Sequence, residues 1–222
     1  MVHDFEPSHA RLAGDPCDHA VEVVLVISGA SGMSLATGFA RTVLRETDTS
    51  MLHLVVTEGA TAVLRHELGG EWASARALRE RLDVAEDQRR RITAWSNSNL
   101  AAPIASGSHP VTATVVLPCS AGMVGAVAGG LGRGLAQRVA DVALKERRSL
   151  VLGLRETPMS AILLENCLKL VRAGAHVVPP LPAFYLKPDE TSAFRRFIDH
   201  YSMRVLDLVG LPTKGAGLRW GD

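Results

Sequence analysis

Apolar and polar positions alternate between two rhythms along this chain, and the alternation itself suggests an architecture. Val21–Ser28 (VEVVLVIS) is a nearly unbroken β-branched run, as expected of a strand covered on both faces. Gly29–Gly32 then reads as a turn and Met33–Arg45 as a helix. Met51–Thr57 predicts a second strand, Glu58–Glu67 a helix, Ser74–Leu82 a short helix and Arg91–Trp95 a minor strand. Ala101–Pro110, rich in Ala, Ser, Gly and Pro, reads as a functional loop. Ala113–Leu117 is again a buried strand, closed by Pro118-Cys119-Ser120. The small residues of 121–134 make a poor isolated helix but permit close backbone packing. Leu135–Arg147 predicts a helix, Leu150–Leu154 a strand, Met159–Ala173 a helix, Ala175–Val178 a last strand and Thr191–Val209 a last long helix. On the 159–173 helix, Met159, Ile162, Leu163, Leu170 and Val171 form one broad apolar stripe. Thr157 suits its N-cap and Pro158 its first turn. Strands alternating with helices imply right-handed crossovers and an α/β fold with a doubly wound parallel sheet. One domain over residues 21–222 is expected, behind a mobile tail over 1–20.

Composition narrows the class. The chain is 47% hydrophobic and 21% charged, the balance of a folded soluble protein. A net charge of +1 and 5% aromatics point to neither nucleic acid nor a membrane surface. No apolar run reaches the roughly 18 residues that span a bilayer, and the first twenty residues lack a signal-peptide core. Cys17, Cys119 and Cys167 have a spacing that suits neither zinc nor a disulfide framework, so a reducing, cytoplasmic setting is expected. The eight histidines are scattered in sequence and no metal site is assigned.

The candidate chemistry gathers where strands end. Arg155-Glu156-Thr157-Pro158 follows a buried strand, at the edge where open α/β sheets bind ligands. Gly29-Ala30-Ser31-Gly32 closes the first strand ahead of a helix, where backbone N–H groups attract phosphate and the Ser31 hydroxyl adds a donor. The segment is neither a G-x-G-x-x-G nor a Walker loop, and an ordinary tight turn is the plain alternative. Thr57-Glu58, Pro118-Cys119-Ser120 and, if its segment folds back, Ser106-Gly107-Ser108 join that edge as small polar groups suited to a flat ring. Cys119 reads as a buried apolar residue rather than a nucleophile. Arg138, Asp141 and Lys145 share one helix face, either as a solvated ion-pair surface or, with Arg155 and Glu156, as an anion pocket. Arg204 on the last helix is a further cation. Three prolines stiffen residues 179–182 ahead of Phe184-Tyr185, which either present an aromatic wall or cap the core.

These pieces, in this order, resemble the flavin prenyltransferases of the UbiX type: Gly-Ala-Ser-Gly after strand one, Ala105-Ser106-Gly107-Ser108, Pro118-Cys119-Ser120, residues 140–148 (ADVALKERR), Arg155-Glu156-Thr157-Pro158, Leu164-Glu165-Asn166, Pro182-Ala183-Phe184-Tyr185 and the terminal Arg219-Trp220-Gly221. The likeness spans residues 21–222. It implies a flavodoxin-like Rossmann three-layer fold, usually a dodecamer built from trimers. It also implies metal-independent transfer of a dimethylallyl group from dimethylallyl monophosphate to N5 and C6 of reduced FMN. The product, prenylated FMN, serves a separate UbiD-type decarboxylase. By motif, Ser31, Glu67, Glu156 and Tyr185 resemble catalytic positions. Gly29, Ala30, Ser31, Thr57, Ser106, Ser120 and Arg155 resemble cofactor contacts. Arg138, Lys145, Arg155, Glu156, Tyr185 and Arg204 resemble the prenyl-phosphate site. Glu67 matches an acidic residue beside a neighbouring subunit's flavin, and Trp220 a C-terminal aromatic.

The chain departs from that pattern in places. Ala121 stands where many members have Thr, Gly132-Arg133-Gly134 where many are Asn-rich, Leu163 where many have His, and Leu100 where some carry Trp. Two rival readings share the fold: a cysteine-decarboxylating FMN enzyme and a non-catalytic flavin-binding regulatory subunit. The first carries a Pro-x-Met-Asn-type motif where this chain has Arg155-Glu156-Thr157-Pro158-Met159-Ser160. The second has no use for Lys145, Arg155 and Glu156.

Overall fold

The computed structural model describes residues 20–184, 193–211 and 213. The tail expected over 1–20, apart from Ala20, lies outside the described residues, as do Tyr185 and Trp220. Six strands form one sheet, all parallel: β1 (Glu22–Ile27), β2 (Met51–Val56), β3 (Ile92–Ser96), β4 (Ala113–Cys119), β5 (Ser149–Leu154) and β6 (His176–Val177). Their spatial order is β3-β2-β1-β4-β5-β6. Without the edge strand β3, the order is that of flavodoxin, and the connections diverge between β1 and β4.

The helices are α1 (Met33–Glu46), α2 (Glu58–Glu67), α3 (Ala75–Arg81), α4 (Glu86–Arg90), α5 (Ala121–Ala128), α6 (Leu135–Lys145), α7 (Ala161–Arg172) and α8 (Ala193–Leu208). Alternate strand residues feed two separate cores. Val23, Leu25, Ile27, Leu54, Val115 and Val151 pack with α1, α2, α3 and α8, whereas Val24, Val26, Val116, Leu150 and Leu152 pack with α5, α6 and α7. The result is a three-layer α/β/α fold. Period-2 alternation is hidden in the sequence because both faces of the sheet are covered.

Two local expectations are corrected. α7 begins at Ala161, with the Ser160 hydroxyl accepting from the Leu163 N–H at 3.2 Å, so Thr157 and Pro158 stand in the preceding loop. The broad stripe also splits. Leu163, Cys167 and Leu170 are buried, while Ile162 is 72% and Val171 50% exposed. On α1, Gly38 lies against the Ile198 side chain, and Arg41 falls within the fields of Arg195 and Asp199. These pairings set α8 antiparallel to α1 and carry Arg204 toward the start of α1.

Candidate active site

At the switch point, the carboxyl ends of β1 and β4 are tied together. The Ser28 N–H and hydroxyl both donate to the Pro118 carbonyl, at 3.2 and 2.9 Å, and the Ser120 N–H donates to the Ser28 hydroxyl at 2.8 Å. The Ser120 and Thr57 hydroxyls accept from the Met123 and Ala60 N–H groups, capping α5 and α2. Both residues therefore have a structural duty at the edge where ligands bind. A Cβ on Gly29 would stand 3.0 Å from the Gly59 backbone, so this ledge is floored by closely apposed main chain. The Arg155 N–H donates to the Cys119 carbonyl at 3.0 Å, which sets Arg155 and Glu156 on the same edge.

The first turn of α1 is the most organised part of this edge. Gly32 has φ 106° and offers no side-chain cap. The Glu67 carboxylate, from the last turn of α2, supplies one: it accepts from the Gly32 N–H at 3.1 Å and the Met33 N–H at 2.8 Å. Burial works to raise the Glu67 pKa, but these N–H donors, the Ser31 hydroxyl and the nearby Arg155 charge outweigh it and hold the carboxyl below its ordinary value. Ser31, Glu67 and Arg155 thus form one electrostatic group. The N–H groups expected to meet a phosphate here already hold a carboxylate of the same chain.

Three other expected residues lie elsewhere. Lys145 ends α6, four residues before β5 begins, whereas Arg155 follows the end of β5. The six residues of β5 put about 20 Å between them at roughly 3.3 Å per residue. Ser106 is at the opposite edge too: its turn is bonded to Arg148 and, through His109, to Glu22 at the very start of β1. Arg138 lies two turns above Lys145 on α6, donating to the Ala105 carbonyl at 2.9 Å and paired with Asp141 at 2.8 Å. A single chain therefore divides the expected residues into an upper group (Ser31, Thr57, Glu67, Ser120, Arg155, Glu156, with Arg204 on the adjoining helix) and a lower group (Ser106, Lys145), with Arg138 on the first turn of α6 between them. Arg204 pairs with Asp207 at 3.7 Å. Ser31 and Arg155 are exposed, as an open ledge requires.

Asn97 was not singled out by sequence. Its amide donates to the Glu58 carboxylate at 3.0 Å, its side-chain oxygen accepts from the Ala136 N–H at 2.9 Å, and it thereby ties the start of α2 to that of α6. An asparagine just after a strand was the available signal. Cys119 is fully buried and desolvation drives its thiol pKa strongly upward, which rules out a ready thiolate. The histidines are less scattered than their sequence positions suggest: Glu22, His53 and His109 converge, all with donor atoms within 4.8 Å.

Residues 14–199 match the Flavoprotein family model. The chain is 36% identical to the flavin prenyltransferase UbiX of Methanocaldococcus jannaschii over 90% of its own length and 99% of that protein. It belongs to the UbiX flavin prenyltransferase family. A solved structure of AnUbiX in complex with FMN and dimethylallyl pyrophosphate aligns with TM-score 0.73 at 33% identity, covering 92% of this chain and 99% of that one. A dodecameric FMN-dependent UbiX-like decarboxylase from Escherichia coli O157:H7 aligns with TM-score 0.76 at 33% identity, covering 91% and 100%. The likeness to a peptidyl-cysteine decarboxylase, at 11% identity and TM-score 0.52, extends to the fold alone. Among the described residues no helix is long and apolar enough to cross a membrane.

Proposed function

We propose that this protein transfers a dimethylallyl group from a prenyl phosphate to reduced FMN, forming prenylated FMN. The observation that carries the reading is the upper group itself: Ser31, Glu67, Arg155 and Glu156 on the carboxyl edge of the sheet beside the β1–β4 switch point, in a chain of this family. The Gly29–Gly59 floor and the helix-capping Thr57 and Ser120 suit a flat ring, and Ser31 offers a hydroxyl at its rim. Reduced FMN supplies the nucleophile. Cleaving an allylic phosphate needs cations on the departing oxygens, the work we assign to Arg155, Lys145, Arg138 and Arg204. A water-poor aromatic wall, for which Tyr185 is the candidate, favours the allylic cation over capture by water. Glu156, half-buried beside Arg155, is the candidate for holding and moving the proton lost on ring closure.

The separation of Lys145 from Arg155 supports a second part of the reading: the site is completed by other copies of the chain. The upper ledge is open, and α7 turns Ile162, Leu168 and Val171 outward. Burying such side chains is worth roughly 1.5–3 kcal/mol each, so a homo-oligomer that covers them and brings a lower group to each ledge is favoured. Dimethylallyl monophosphate as donor, a UbiD-type decarboxylase as acceptor of the product and a cytoplasmic setting complete the proposal.

The test is anaerobic incubation with reduced FMN and either dimethylallyl monophosphate or the pyrophosphate, followed by mass spectrometry of the released flavin. A gain of one five-carbon prenyl unit is expected with the monophosphate. Unmodified FMN from protein that binds it, with both donors, contradicts the reading.

A further inference from the structure

We propose that Glu22, His109 and Arg148 are positioning residues, forming a two-sided clamp that holds the Ser106–Ser108 turn ready beside Lys145. The inference rests on the reading above, in which Ser106 and Lys145 of one chain face a neighbour's flavin and prenyl phosphate.

The first side of the clamp is a carboxylate shared by two imidazoles. Glu22 Oε2 accepts from His53 Nε2 at 2.8 Å and from His109 Nε2 at 2.7 Å. Trp95 fixes the protons, because its indole N–H donates to His53 Nδ1 at 3.0 Å. His53 Nδ1 is therefore an acceptor, and the ring proton sits on Nε2, aimed at Glu22. Burial lowers the His53 pKa, which keeps the ring neutral. Three such donor atoms together resemble a metal site. A neutral histidine bound to metal through Nε2 would present Nδ1–H to an acceptor, and Trp95 presents a donor there instead. The cluster is thus a hydrogen-bonded anchor for His109.

The second side grips the backbone. Arg148 donates to the carbonyls of His109 and Gly107, each at 2.6 Å. Arg147, at φ 55°, turns the chain at the end of α6 and directs Arg148 back toward this turn. Gly107 leaves room for the paired Lys145 and Glu146 heads, which any Cβ there would strike. Between the two straps, the Ser106 and Ser108 hydroxyls are bonded to one another at 2.8 Å and both residues are exposed. Anchored below and open above, beside an ammonium group, the turn is a preformed donor set for an anionic ligand, ordered before binding rather than during it.

The test measures FMN affinity by fluorescence and steady-state kinetics on intact His109→Ala, His109→Gln and Glu22→Ala proteins. Loss of the clamp is expected to weaken FMN binding about tenfold in both alanine variants, with kcat at saturation changed far less than KM. His109→Gln keeps a donor near the Nε2 position and is expected to recover most of the affinity, which a purely structural defect would not do. Wild-type affinity in His109→Ala, or equal impairment of the Ala and Gln variants, overturns the proposal. Stoichiometric Zn²⁺ retention by the wild type that His109→Ala abolishes overturns it as well. Prenylated flavin is read separately: FMN bound by the wild type without prenyl transfer defeats the functional reading while the affinities still decide the clamp.

Discussion

Glu67 shows how one side chain can settle what a turn does. Gly29-Ala30-Ser31-Gly32 was legible in the sequence as a helix start with free N–H groups, but its partner lies 35 positions away from Gly32 in the chain and could not be read from local spacing. The Glu67 carboxylate both caps α1 and answers its dipole, an effect worth about 0.3–1 kcal/mol at such a partly exposed site. Its folded pKa is depressed, so the unfolded chain takes up a proton first. The contribution is fully present above the unfolded pKa, near 4.5, and is lost as pH falls through the folded value. Glu67→Gln is therefore expected to lower the urea midpoint at pH 7, and the gap from the wild type should close in increasingly acid buffer. A gap that stays constant down to pH values where the protein begins to unfold would remove the charge from the account. Asn97 and His109 escaped the sequence reading for the same reason as the cap, since each acts through partners distant in the chain.

At the scale of elements, long apolar strands and well-patterned helices were readable, and most boundaries fell within two residues. α2 matches its expected span, Glu58–Glu67, because Thr57 is a genuine N-cap. The start of α7 was misread because Thr157-Pro158 has the composition of a cap while Ser160 performs the role. The stripe on α7 was misread because apolar residues left exposed and those that face the core look alike in one sequence. α8 packs closely against α1 at Gly38, where an added Cβ would collide with Ile198. Gly38→Ala gains about 1 kcal/mol of helix propensity but overpacks a buried contact at a cost of about 1–3 kcal/mol. A net loss of stability is expected in chemical denaturation. A variant more stable than the wild type would mean that α8 yields freely, and that Arg204 is not held by this contact.

At the scale of the whole molecule, the sequence nominated candidate residues for the site but said nothing of their distribution. Arg155 and Lys145 are ten positions apart, which suggests one pocket; a six-residue strand between them places them on opposite edges of the sheet. Motif order carries no information about which copy of a chain supplies which residue. The account therefore turns on prenyl transfer in sites assembled between chains, and subunit mixing tests it most directly. Lys145→Ala and Glu156→Gln each damage a different group, so each homogeneous oligomer is expected to be nearly inactive. When the two are co-expressed, random assembly restores an intact pair in about a quarter of sites that draw one group from each of two chains. Prenylated FMN formed by the mixed oligomer, but by neither parent, is the predicted result. A mixture as inactive as its parents, from oligomers shown to contain both chains, would contradict the account.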